Sequence, residues 1–341
     1  GSTFGGWSGG GCSGTGTCTV TMTAARTVQA TFTLTTHLLT VSRAGSGAAL
    51  GTVTSTPAGI SCGADCTESV NYGSQLTLMA SAASGATFIG WSGGGCSGTG
   101  ACVVTVTAAT TVTATFEADQ ALTVARAGTG ASYGRVLSSP AGVDCGADCA
   151  QGYPYDTFVD LTASVPIAAA ATFTGWSGGG CSGAATTCTV RMNQAQSVTA
   201  TFAIRSHTIS VSTTGGTGSG TVTSVPAGIN APATPAAAFA YGTTVTLTAA
   251  AAGGSNFSGW SLAGCPGVGS CDVFVDGAKS VTATFTLQQF TLAVSKTGTS
   301  TNLGTVTSTP AGIACGATCS AGFAFNQVVQ LAATTMPGVV F

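Results

Sequence analysis

The chain has 341 residues, a net charge of −2 and only 5% charged side chains, about a fifth of the usual share, while Gly supplies 51 residues and Thr 60. Eight Lys and Arg cannot neutralise a row of phosphates, so nucleic-acid binding and a polybasic membrane patch are excluded. An apolar content of 44% argues against charge-driven disorder, and no apolar run approaches the roughly 20 residues that span a bilayer.

In chain order, Phe4, Gly5 and Trp7 come first, followed by a Gly-rich loop between Cys12 and Cys18. Beyond Cys18 the pattern alternates: Val20 and Met22 sit between Thr19, Thr21 and Thr23, and after a short turn Val28, Ala30 and Phe32 sit among Thr27, Gln29 and Thr31. A period of two predicts a half-buried β-hairpin with a Thr-covered outer face. Further strands are predicted over 39–42, 52–55, 75–80 and 87–92, separated by Gly, Ser and Pro, and the hairpin then returns with Val104 and Val106 against Val112, Ala114 and Phe116. Each unit therefore reads as six or seven short strands with no helical stripe.

The unit repeats. Gly-Trp-Ser recurs at Trp7, Trp91, Trp176 and Trp260, spaced 84, 85 and 84 residues, and each Trp follows a Phe by three residues (Phe4, Phe88, Phe173, Phe257). Pro-Ala-Gly recurs at Pro57, Pro140, Pro226 and Pro310. A period this long suits a string of small, separately cored domains rather than a solenoid. The predicted division is 1–36 as the second half of a repeat, then repeats at 37–119, 120–206 and 207–289, and 290–341 as a first half. The junctions near His37, Gln120, His207 and Phe290 carry no Pro-rich or Gly/Ser linker, which should limit bending.

The 14 cysteines fall into two recurring spacings. Long pairs are Cys12 with Cys18, Cys96 with Cys102, Cys181 with Cys188 and Cys265 with Cys271; short pairs are Cys62 with Cys66, Cys145 with Cys149 and Cys315 with Cys319. Two close pairs per unit could also build a four-thiolate zinc site. In the third full unit, however, Ala231 and Pro235 replace the short pair while Cys265 and Cys271 remain. Loss two at a time favours independent disulfides, and abundant disulfides imply an oxidising, extracellular or periplasmic setting.

The unit Thr40-Val41, Gly51-Thr-Val-Thr-Ser-Thr-Pro-Ala-Gly-Ile, Cys62-Gly-Ala-Asp-Cys66, Gly90-Trp91-Ser-Gly-Gly-Gly-Cys96 and Val112-Thr-Ala-Thr-Phe116 resembles the divergent internalin-B-type B-repeat, over essentially the whole chain. The resemblance implies an all-β, β-grasp-like or sandwich-like domain of about 84 residues, used in tandem as spacer, stalk or adhesive module in large bacterial secreted and surface proteins. It brings no catalytic residue, cofactor or metal to carry over.

Other readings of single residues are weaker. His37 and His207 occupy a junction position held by Gln120 and Phe290 elsewhere, an unsuitable place for a catalytic base. Asp156 and Asp160 form the one close same-face carboxylate pair, but Gly73 and Thr77 stand there in the first full unit. Asp65 and Asp148 suit a turn better than a calcium site, since Thr318 replaces them. The run Gly93 to Gly95 is followed by no Lys or helix, so it is no phosphate loop. The four Trp are expected in the core rather than stacked on sugars.

The function expected is structural: a subunit or segment of a bacterial surface fibre or stalk, with an adhesin or carbohydrate-binding module as the alternative and no enzymatic role. The chain opens on Gly1-Ser2-Thr3, so an export signal is expected upstream. Its last residues match the stretch that precedes the first complete Trp motif. Phe4, Gly5 and Trp7 of one copy are thus expected to meet Leu331, Val339, Val340 and Phe341 of another in head-to-tail strand addition.

Overall fold

A computed structural model describes residues 1–265, 267–298 and 301–335. The chain divides into two compact units, residues 1–127, 134–164 and 173–201 in one, and 128–133, 165–172 and 202–341 in the other.

In the first unit, β1 (Ser2–Ser8) runs antiparallel to β2 (Gln29–Leu34), with Phe4 opposite Phe32. The first complete repeat follows: β3 (Thr36–Ala44), β4 (Gly51–Thr56), β5 (Ser61–Cys62), β6 (Thr67–Asn71), β7 (Gln75–Ala82), β8 (Ala86–Ser92), β9 (Cys102–Thr105) and β10 (Thr110–Ala118). They make two four-stranded sheets, ordered β6-β3-β10-β8 and β5-β4-β7-β9. Alternation puts Leu39 and Val41 of β3, Val53 of β4, Leu76 and Leu78 of β7, Val104 of β9, and Val112, Ala114 and Phe116 of β10 into one buried cluster between the sheets. Thr52, Thr54 and Thr56 on β4 face solvent, as the alternating pattern requires. The structure is all-β, each complete repeat a two-sheet sandwich, and its helical content among the described residues is confined to short 3₁₀ turns.

The same two sheet orders recur with strands 120–204 and 206–287. In every complete repeat the first and last strands are parallel neighbours: β3 with β10, Gln120–Ala127 with Gln196–Ile204, and Ser206–Ser212 with Lys279–Leu287. In the second unit, Gln289–Ala293 pairs with Ser320–Ala324, and Gly304–Thr309 lies between Ala314–Cys315 and Gln330–Thr335.

Two expectations need correction. The strands on either side of the short turn are not a hairpin: β9 pairs with β7, while β10 pairs with β3 and β8 in the other sheet. The intervening turn crosses the sandwich, which is possible because both strands alternate and bury Val104, Val112 and Phe116 from opposite sides. Around Val20 and Met22 no strand forms and Met22 is exposed. Each repeat also has eight strands instead of six or seven; β5 is only two residues long and β6, Thr-Glu-Ser-Val-Asn, has too few apolar positions to show a period.

A buried serine shapes the Pro-Ala-Gly turn. Ser55 Oγ donates to the Pro57 carbonyl (2.8 Å) and accepts from the Ile60 amide (2.9 Å). Ser224 does the same with Pro226 and Ile229, and Ser308 with Pro310 and Ile313. Ser224→Ala leaves the Ile229 amide and the Pro226 carbonyl without that partner, and thermal unfolding of the variant should show the third repeat weakened by about 1–3 kcal/mol.

Candidate functional site

The recurring Trp and its cysteine loop are one device. Trp91 lies near the end of β8, and its amide donates to the Gly98 carbonyl (2.9 Å) while Nε1–H donates to the Gly100 carbonyl (2.7 Å). Both acceptors lie in the loop that the Cys96–Cys102 disulfide closes. Trp7, Trp176 and Trp260 make the equivalent indole bonds to Gly16, Ala185 and Gly269 at 2.8–2.9 Å. Phe88 meets Trp91 edge-on at 5.1 Å, a geometry also seen for Phe4 with Trp7 and Phe257 with Trp260, and Phe173 packs on Trp176 at 5.1 Å. Trp91 and Trp176 are only 5% exposed, so neither presents a ring face for a sugar. Gly93, Gly94 and Gly95 all have positive φ, and a Cβ at Gly94 would lie 2.5 Å from Val112 Cγ2, so this run lets the loop fold back on β10.

All 14 cysteines are paired at the expected spacings, with Cα–Cα distances from 4.2 to 5.8 Å. Around the short pair, Ser61 and Asp65 exchange backbone hydrogen bonds, and the Cys66 carbonyl accepts from Val41 of β3 (2.8 Å). The third repeat keeps this loop without its disulfide: Asn230 and Thr234 exchange the same bonds, and the Pro235 carbonyl accepts from Val211 (2.7 Å). Backbone pairing is therefore sufficient to set the loop, and the disulfide locks it. The Asp65 and Asp148 carboxylates each accept from the amide two residues on, Thr67 and Ala150, both at 3.2 Å, which is a turn role.

The carboxylate pair does not share a strand. Asp156 stands in a turn at φ 68°, ahead of strand Phe158–Ser164, and pairs with Arg191, while Asp160 accepts from the Thr189 hydroxyl. The intervening turn after Pro154 takes Asp156 off the strand. His207 Nε2 lies 2.7 Å from the Ala169 carbonyl, and the His37 ring packs on Tyr72 at 6.0 Å.

Three ion pairs are described: Arg135 with Asp144, Arg191 with Asp156, and Lys279 with Asp276. In each, the hydrogen bond from the cation holds the Asp below its ordinary range. Stability from such a depressed acid is present above the ordinary carboxylate value, about 3.9, and is lost as pH falls through the lowered one. The groups are solvent-exposed, so the effect is small. Melting temperatures should stay flat from about pH 5 to 9 and dip only below about pH 4; a steep loss near neutrality would contradict this account.

Of the residues expected at a head-to-tail contact, Phe4 and Trp7 pack on each other and Phe4 on Phe32 (5.3 Å), and Gly5 lies in the same strand. Phe32 is 64% exposed where Phe116 and Phe285 are wholly buried, and Leu331 is 44% exposed where Leu78 is wholly buried. Val339, Val340 and Phe341 lie outside the described residues.

A family model described as the divergent InlB B-repeat domain matches residues 1–36, 46–120, 129–206 and 210–289. The chain belongs to this family. No curated protein matches. Among solved structures, the Bacillus anthracis TIE protein aligns over 92% of this chain and 66% of its own at 9% identity and a TM-score of 0.38. The pilus adhesin SpaC from Lactobacillus rhamnosus GG aligns over 82% and 46% at 10% identity and 0.30, and the major pilin T-13 from Streptococcus pyogenes over 50% and 97% at 11% and 0.23. The divergent B-repeat assignment rests on the repeated sequence motifs, since none of these scores reaches 0.5. The serine of the Pro-Ala-Gly turn went unpredicted, although it stands two residues before Pro at Ser55, Ser138, Ser224 and Ser308 and its recurrence is a readable signal.

Proposed function

We propose that these tandem B-repeats form a structural segment of a bacterial surface protein, a stalk or fibre that holds other parts away from the cell. The observation that carries this is the disulfide set: seven pairings distributed over consecutive repeats, with no free cysteine, suit an oxidising exterior and a chain that must persist there. Antibody labelling of intact cells tests it. Threads or patches of label outside the envelope are the expected result; label found only after the cells are broken open would overturn the reading.

The finer form of the proposal is assembly. β2 pairs with β1, whereas its counterpart β10 also carries the parallel strand β3 that helps bury Phe116. A first-half segment like Gln289–Ala293, whichever chain supplies it, fits the edge of β2 beside Phe32. Sizing of the oxidised chain over a range of concentrations should show multimers that Phe32→Asp abolishes. A single monomeric species throughout would count against self-assembly and leave the surface reading intact.

A further inference from the structure

The junctions between repeats carry a recurring contact of their own. At each, one backbone amide reaches back to the preceding repeat: Thr35 to the Gly1 carbonyl (3.1 Å), Asp119 to Gly85 (2.9 Å), Arg205 to Ala170 (2.8 Å) and Gln288 to Gly254 (2.8 Å). At three of these residues the carbonyl also accepts from the following repeat, from the amides of Tyr72 (2.8 Å), Tyr241 (2.8 Å) and Phe325 (2.9 Å) in the turn after its fourth strand. The side chains of the same three residues add a second backward bond: Thr35 Oγ1 to the Gly1 carbonyl (3.0 Å), Arg205 Nε to the Ala171 carbonyl (3.1 Å) and Gln288 Nε2 to Asn256 Oδ1 (3.1 Å).

The turn aromatic supplies a packing contact at the same places. His37 packs on Tyr72, His207 on Tyr241 and Phe290 on Phe325, with ring centroids 6.0 to 6.4 Å apart. Tyr241 also meets Tyr133 of the preceding repeat edge-on at 5.4 Å. A Cβ at Gly254 would overlap the Phe325 ring, so the small residue at this position makes room for the aromatic.

Asp119 differs. It stands five residues before the core Val124, whereas Thr35, Arg205 and Gln288 stand six before Val41, Val211 and Val294. The deletion leaves Gln120 opposite Tyr153 and so Asp119 beside Pro154, which has no N–H to donate, and at Asp119 only the backward bond is found among the described residues.

We infer that Thr35, Arg205 and Gln288 are two-sided clasps, each tying the end of one repeat to the turn aromatic of the next, so that neighbours at these junctions open together, and that the Asp119 junction is the looser tie. The small residue at the start of one repeat's Trp strand, whose carbonyl accepts the clasp amide, forms the docking surface, and its partner is the aromatic turn of the following repeat. A repeat held this way has part of its protection supplied by its neighbour. The inference deepens the structural role proposed above but is tested separately from it, because it concerns amides inside the chain.

The test is amide hydrogen exchange on the full oxidised chain with two glycines inserted between Arg205 and Ser206, and in a second variant between Asp119 and Gln120. The Arg205 insertion should speed exchange of the Arg205 and Tyr241 amides by roughly tenfold, the loss expected for one or two hydrogen bonds. The Asp119 insertion should leave the Tyr155 amide within about twofold of the parent. Exchange at Val281 and Phe285 reports whether the third repeat has folded. Arg205→Pro, which removes both backward bonds, the N–H given to Ala170 and the Nε–H given to Ala171, keeps the chain length and should speed exchange at Tyr241 in the same direction. Unchanged exchange at Tyr241 in both Arg205 variants, or equal effects at the two insertion sites, would overturn the clasp. Absence of surface label in the preceding experiment would leave this result standing.

Discussion

Reduction of the oxidised chain is expected to cost the first and second complete repeats about 4 kcal/mol each and the third only about 2 kcal/mol. Each disulfide closes a very short loop, with sequence separations of 4 to 7, for which constraint of the unfolded chain contributes roughly 2 kcal/mol. The first and second repeats have two such closures, and the third has one because Ala231 and Pro235 occupy the short-pair positions. A small sandwich has little stability to spare, so the doubly closed repeats should melt well below their oxidised midpoints once reduced. Hydrogen exchange with and without reductant resolves the repeats individually. Equal losses in all three would show that the loops, rather than the bridges, carry the stability.

Trp91→Ala should destabilise the first complete repeat by about 3–5 kcal/mol, the range for removing a large buried aromatic. It deletes the edge-on contact with Phe88 and frees the Gly100 carbonyl, so the loop between β8 and β9 loses its anchor. Trp91→Phe separates the two contributions: the ring is largely kept, the indole N–H is gone, and the cost should fall to about 1 kcal/mol. Urea unfolding followed by near-ultraviolet circular dichroism distinguishes them. If Trp91→Ala unfolds no more easily than the parent, the residue is not the anchor its hydrogen bonds indicate.

The repeat, its period and its cysteine pairs were legible because they are local and recur: Gly-Trp-Ser and the two cysteine spacings announce themselves four and seven times. The alternation of Val104, Val106, Val112, Ala114 and Phe116 correctly marked the buried faces but could not say which strand each one joins. Period-two patterning reports which side of a strand is inward, and a hairpin and a crossing between two sheets have the same alternation. The parallel pairing of β3 with β10 links Leu39 to Thr110, and no local pattern encodes a contact at that separation. The junction bonds were hidden for another reason: the one common to all four sites runs between backbone groups, and the added side-chain bonds come from a hydroxyl, a guanidinium and an amide, so Thr35, Asp119, Arg205 and Gln288 share no chemistry that a sequence could display. Only the aromatic at Tyr72, Tyr155, Tyr241 and Phe325 repeats as a residue type.

The parallel pairing of each repeat's first and last strands determines how a pull is received. The chain enters through the start of β3 and leaves through the end of β10, and in a parallel pair those points lie at opposite ends of the shared ladder. Tension along the chain therefore slides one strand past the other and stretches the bonds from Leu39–Thr110 to Ala44–Thr115 together, rather than peeling them one after another. The same loading applies to the strand pairs that begin at Leu122–Gln196 and Ile209–Lys279. In the two repeats that carry both short closures, the residues between bridged cysteines stay closed after the sheets separate, which shortens the slack each one can release.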